Sequence, residues 1–220
     1  MFFIRNWREY LKNFSYSKIF HNDKEIYFNN ICDSINNLSC SLKTNANTVI
    51  GRGSINTSLL FIGEAPGEEE DKLGVPFVGA SGVLLKEMIN SINIDINKVY
   101  ITNICFWRPP LNRPPTEEEI NICLPMVKEI IKLINPKLIV TLGSTATKVL
   151  HNKITNISKV RGIFSKISIK DNIYESIPTF HPSYILRIRS HKSLYMKDFL
   201  TIQQFIKDNN LYEELIISSK

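Results

Sequence analysis

The stretch from Ser58 to Gly82, SLLFIGEAPGEEEDKLGVPFVGASG, constrains this chain more than any other. The apolar run Ser58 to Ile62 leads straight into Gly63-Glu64-Ala65-Pro66-Gly67, and short apolar runs bounded by turn residues are strand signals. An acidic run follows (Glu68, Glu69, Glu70, Asp71), and then Pro76-Phe77 enters a second small-residue turn. A strand ending this way sets a carboxylate, Glu64, and several backbone N–H groups at its carboxyl end, where open α/β sheets place their ligands. The stretch therefore predicts a site together with the sheet that holds it.

The same unit recurs downstream. Ser81 is expected to cap a helix whose Val83, Leu84, Leu85, Met88, Ile89 and Ile92 share one face. Lys98 to Thr102 predicts a second strand ending at Asn103, followed by the proline-rich loop CFWRPPLNRPP. Thr116 and Glu119 form a capping box for a helix that Pro125 is expected to break or restart and that Asn135-Pro136 ends. Lys137 to Leu142 predicts a third strand turning at Gly143 into a short helix from Ser144. Two strands flanking Lys170-Asp171-Asn172 read as a hairpin, Ser176 to Phe180 as the last strand before His181-Pro182, and about His191 to Lys207 as a closing amphipathic helix. Strands alternating with helices imply a parallel sheet covered on both faces. Glu64, Asn103, Gly143 and His181, each just beyond a strand end, should then meet along one edge.

Composition narrows the rest. A chain of 220 residues is long enough for one core. Residues 1–36 read as a polar helical extension anchored by Trp7, Leu11, Phe14, Ile26, Ile31 and Ile35, and residues 37–220 as the domain, opening with a loop rich in Ser, Asn, Thr and Gly. An excess of 27 Lys and Arg over 21 Asp and Glu permits a polyanionic partner. No apolar run approaches the roughly 18 residues of a membrane span, and Arg5, Arg8 and Glu9 interrupt the start of the chain, so a cytoplasmic protein is expected. Four cysteines without secretory marks point to thiols or metal ligands rather than disulfides.

In GEAPGEEED with PFVGASG, VYITN, RPPLNRPPTEEE, LGSTATKVL and PTFHPSYILR, in this order, the chain resembles the uracil-DNA glycosylases of family 4 over roughly residues 40 to 206. The resemblance implies an α/β three-layer αβα sandwich with a four-stranded parallel sheet. It implies an enzyme of base excision repair that flips uracil out of DNA and hydrolyses its N-glycosidic bond, leaving an abasic site. Under it Phe77 is the stacking platform for the extruded base and Asn103 reads the uracil edge, accepting from N3–H and donating to O4. Glu70 is the gate against the thymine methyl, Gly63 and Asn112 complete the substrate site, and His181 with backbone N–H groups of the 63 to 67 turn stabilises the departing uracil anion. Glu64 favours the sugar cation and positions the attacking water. Related glycosylases of another family carry an aspartate where this chain has Ala65, so the group that activates water is left open. Arg108, Arg113, Leu186, Arg187, Arg189 and Lys192 are the expected DNA-binding set, with Leu186 as a wedge.

The cysteines depart from the family pattern. The family's four cluster cysteines fall here on Asn37, Cys40, Trp107 and Cys123, so two ligands of a four-iron four-sulfur cluster are missing. No metal is the expectation; the alternative is a cluster held by Cys40, Cys123, Cys32 and Cys105. The expected partner is uracil-containing DNA, with the chain acting as a monomer away from membranes. The open alternatives are a glycosylase for another deaminated base such as hypoxanthine, and an inactive DNA-binding module of the same fold.

Overall fold

Leu60 and Ile62 face one apolar core and Leu59 and Phe61 face another, the period-two alternation of a strand buried on both sides. That strand sits inside the sheet of a computed structural model describing residues 21–152 and 156–216; Trp7, Leu11 and Phe14 lie outside the described residues. The elements are α1 (His21–Asn36), β1 (Gly51–Gly53), β2 (Leu59–Gly63), α2 (Glu68–Leu73), α3 (Ala80–Ser91) and β3 (Tyr100–Asn103). Next come α4 (Glu117–Ile134), β4 (Leu138–Leu142), α5 (Ser144–His151), α6 (Ile157–Val160) and β5 (Ser165–Ile169). β6 (Asn172–Thr179), α7 (Pro182–Arg187), α8 (Lys192–Asp208) and α9 (Tyr212–Leu215) complete them. The sheet order is β1-β3-β2-β4-β6-β5. β3, β2, β4 and β6 are parallel, as expected, and antiparallel edge strands β1 and β5 extend the sheet to six. α1 and α4 contribute to one core and α3 and α8 to the other, giving the three-layer arrangement.

Four local expectations need correction. Pro125 does not break α4, which runs unbroken from Glu117 to Ile134. Its buried face (Cys123, Met126, Val127, Ile130, Ile131) offsets the cost of about 3 kcal/mol for an interior proline, because each buried apolar side chain contributes roughly 1.5–3 kcal/mol. The Thr116–Glu119 capping box is formed as expected. The hairpin arm after Asn172 and the strand ending near Phe180 are one strand: β6 pairs with β5 over Asn172–Ser176 and with β4 over Glu175–Thr179. Pro178 is tolerated because β5 begins only opposite Ser176, and the Pro178 carbonyl accepts from Gly162 N–H at 2.8 Å. Ser81 is not a cap; Gly79 is, and Val83 on the same helix is exposed.

α1 belongs to the core, with Tyr27, Ile31 and Ile35 buried and the Tyr27 hydroxyl donating to Glu129 Oε2 on α4 at 3.1 Å. A buried ion pair ties the far side of β6. Arg161 Nε donates to Asp198 Oδ2 at 2.9 Å, its second nitrogen bonds Oδ1, and Thr179 Oγ1 donates to Oδ2 at 2.6 Å. The Arg161 guanidinium also lies 5.4 Å from the Phe180 ring centroid. This joins α8 to the last residue of β6, two residues before His181. Asp198→Ala leaves Arg161 buried without its partner and should cost about 3–5 kcal/mol in urea unfolding; an unchanged midpoint and slope would contradict this role.

Candidate active site

Glu64 follows β2, Asn103 ends β3, Gly143 follows β4 and His181 follows β6, so parallel pairing brings all four to one sheet edge. They line a cavity of about 550 Å³ together with Ala65, Glu70, Phe77, Asn112, Arg113, Tyr184 and Arg187.

Its floor is set by sheet register. Gly63 and Asn103 are direct partners across β2 and β3, and a Cβ at Gly63 would collide with Asn103 Oδ1 and lie 2.6 Å from Phe77 Cζ. Glycine here lets the amide and the ring meet. Asn103 is 1% exposed, and its Oδ1 has no hydrogen-bond partner among the described residues. A buried acceptor left unpaired costs roughly 1–3 kcal/mol, a loss that a ligand N–H would recover.

Phe77 sits above this floor with a left-handed backbone, φ 54°, uncommon for a bulky residue. Glu70 holds it there. Its Oε1 accepts from Val78 N at 2.9 Å and Gly79 N at 2.8 Å, and its Oε2 from Gly67 N at 3.1 Å. Glu70 therefore caps the turn entering α3, the task expected of Ser81. It also commits the Gly67 N–H, so the turn after β2 offers a ligand fewer backbone donors than its sequence promises.

His181 is the other wall. Its Nδ1 accepts from Ser183 N at 3.2 Å and lies 2.8 Å from Ser183 Oγ, which assigns the ring proton to Nε2. Burial, and secondarily the charge of Arg187, lowers its pKa from 6.5 to about 4. The ring is thus a neutral donor near neutral pH, 5.9 Å between centroids from Phe77. Gly143 (φ 88°) turns directly beneath it; a Cβ there would lie 2.9 Å from His181 Cβ. Behind it Phe180 stacks on Tyr184 at 4.8 Å, and Tyr184 Oη meets His191 Nδ1 at 2.9 Å.

The remaining expected residues divide. Asn112 and Arg113 are on the cavity wall, each held: Asn112 Oδ1 accepts from Arg108 Nε at 2.7 Å, and Arg113 makes a bidentate pair with Glu119 at 2.8 and 2.6 Å. That pair lowers the Glu119 carboxyl to about 2. Arg108 also reaches Glu68 at 3.4 Å. Leu186, Arg189 and Lys192 line a neighbouring groove with Val83 and Leu84 of α3. Two features escaped sequence reading: Leu111, 96% exposed on the proline-rich loop, and Thr145, whose hydroxyl donates to Glu64 Oε2.

The cysteine region does not fit a cluster. Trp107 is fully buried, its indole N–H donating to Thr48 Oγ1 at 3.2 Å, while Asn37 is exposed and bonded to Asp33 O at 2.9 Å. Cys40, Cys105 and Cys123 are buried, and a hydrogen bond from Cys105 lowers the Cys123 thiol pKa. Cys32 sits on α1, half-buried. Among the described residues no group of three or more His, Cys, Asp or Glu could hold a metal ion.

The profile of the Uracil DNA glycosylase superfamily matches residues 50–203. The chain belongs to the uracil-DNA glycosylase superfamily. It is similar to a Type-4 uracil-DNA glycosylase of Thermotoga maritima, 43% identical over 173 residues covering 77% of this chain and 88% of that protein. It is also similar to those of Sulfurisphaera tokodaii, 41% identical over 163 residues (72% and 74% covered), and Archaeoglobus fulgidus, 39% over 168 residues (74% and 84%). The matched span of this glycosylase-family chain contains Glu64, Phe77, Asn103 and His181.

The His181 geometry has a pH consequence. Its folded-state pKa lies below the unfolded value, so the unfolded chain takes up the proton first, and this group's share of stability falls as pH drops from 6.5 toward about 4. Its imidazole should titrate near 4 by NMR, with Nε2 protonated above that, and His181→Gln should flatten that part of the stability profile. Titration near 6.5 would contradict the assignment.

Proposed function

We propose that the protein is a DNA repair enzyme that extrudes uracil from DNA and hydrolyses its N-glycosidic bond, leaving an abasic site. The observation that carries this reading is the unpaired Asn103 Oδ1 on a floor shared with Phe77 and Gly63. Uracil N3–H supplies the donor this acceptor lacks, and the Asn103 amide donates to O4. Cytosine presents an acceptor at N3 and a donor at C4, so it leaves the buried amide facing like groups, a mismatch that sites built on hydrogen bonding reject strongly. Phe77 stacks on the extruded ring. Glu70, fixed by its backbone bonds, is a rigid wall against the thymine methyl.

Heterolysis moves the C1′–N1 electron pair onto uracil and leaves positive charge on the sugar. His181, neutral with its Nε2 proton, donates to uracil O2 as charge builds there. Glu64 stabilises the sugar cation and orients the water whose oxygen bonds to C1′; the water proton is released and the uracil anion is protonated as it departs. Arg187, Arg189 and Lys192 engage phosphates with Arg108 and Arg113 nearby, and Leu186 fills the space left in the duplex. Neither hypoxanthine excision nor a binding-only role gains support from relatives named uracil-DNA glycosylase. The reading extends to a monomer acting in the cytoplasm; no helix among the described residues is long and apolar enough to cross a membrane.

The reading also gives the Cys40–Trp107–Cys123 region a packing role in place of a cluster. Purified protein should lack visible absorbance and stoichiometric iron, and Trp107→Ala should cost about 3–5 kcal/mol of stability; one cluster's worth of iron per chain would overturn this.

Asn103→Ala should lower single-turnover release of uracil by on the order of 100-fold or more with the protein still folded. Retained activity would remove Asn103 from the site.

A further inference from the structure

We propose that Thr145 is a positioning residue for the reaction, orienting the Glu64 carboxylate; the proposal rests on the reading of Glu64 given above. Glu64 is half-buried on a turn, and a glutamate side chain has three rotatable bonds with which to leave any one orientation. Thr145, in the first turn of α5, donates its hydroxyl to Glu64 Oε2. This hydrogen bond crosses from the turn after β4 to the turn after β2. The second oxygen, Oε1, has no hydrogen-bond partner among the described residues, so one oxygen is fixed and the other is left for a ligand or water in the cavity.

The donor itself stands on a rigid base. Thr147 Oγ1 bonds the Gly143 carbonyl at 2.7 Å and lies 2.9 Å from Thr141 Oγ1, pinning the β4–α5 turn from within. Thr147 and Thr141 are buried, and the Gly143 backbone passes close enough to His181 to leave no room for a Cβ. On a helix the β-branched Thr145 side chain is confined to two χ1 rotamers, and the one seen here turns its hydroxyl to Glu64 Oε2. Sitting near the amino end of α5, the carboxylate also meets the favourable end of the helix dipole, which complements the hydroxyl without replacing its directionality. A loose Glu64 would place the developing sugar charge and the water less often in reactive geometry, lowering the chemical step rather than DNA binding.

The test is single-turnover uracil release from a uracil-containing oligonucleotide, over a range of enzyme concentrations, for wild type, T145A, T145V, T145S, E64Q and E64Q/T145A. The expected result is a maximal rate lower by roughly 10- to 100-fold in T145A and T145V, the scale of a hydrogen bond to a charged group, with the half-saturating concentration unchanged. T145S should recover most of the rate. In the E64Q background the Thr145 substitution should add nothing. T145V keeps the side-chain shape, so it carries the test if T145A is poorly folded. A wild-type rate in both hydroxyl-less variants, or an equal loss in the E64Q background, would overturn the proposal while leaving Glu64 in the mechanism. A wild-type rate for E64Q itself would overturn the Glu64 reading, and the Thr145 role with it.

Discussion

Glu70 accepts three backbone N–H groups, from Gly67, Val78 and Gly79, and the cavity's shape depends on that one carboxylate. It joins the turn leaving β2 to the turn entering α3, and between them it holds Phe77 in a conformation its side chain disfavours. The ring is thereby set against Gly63 and Asn103, whose positions follow from β2–β3 register. In the proposed reading the ring is the stacking surface and the amide the hydrogen-bonding edge, and both are held by contacts within the protein itself. Such preorganisation spares a bound base the cost of ordering the site.

The opposite half of the cavity is built by the same means on the other two strands. Ser183 sets the tautomer of His181, and the Arg161–Asp198–Thr179 network fixes the strand that delivers it. Thr145 ties Glu64 to the turn after β4. These groups are short-range donors and acceptors carried on turns, while the parallel sheet supplies the common edge. Charge enters mainly outside the cavity floor, with Arg187 on the wall and Arg189 and Lys192 in the adjoining groove.

Much of this was legible because the relevant signals are local. The apolar run before Gly63, the Thr116–Glu119 box and the alternation of strands with helices led to the right sheet and the right edge. Convergence of Glu64, Asn103 and His181 followed from parallel topology. What sequence could not show was tertiary. Pro125 looked like a helix break because the helix's buried face is visible only after packing. β6 looked like two strands because its two halves answer to different neighbours. Ser81 looked like a cap because the group bonded to the Gly79 N–H, Glu70, is nine positions upstream. Thr145 carries no such signal, because a threonine at a helix start reads as part of the helix end and not as a donor to another loop.

Cys40, Trp107 and Cys123 stand at positions where the family pattern places cluster ligands, and with Cys105 they are buried in one apolar core. The central claim is that the floor selects uracil by its N3–H and O4. The most direct test is alkali cleavage of matched oligonucleotides, each with a single uracil, thymine, cytosine or hypoxanthine, after treatment with the protein. The account predicts cleavage at uracil alone. Cleavage at cytosine or hypoxanthine to a similar extent, or none at uracil, would contradict it.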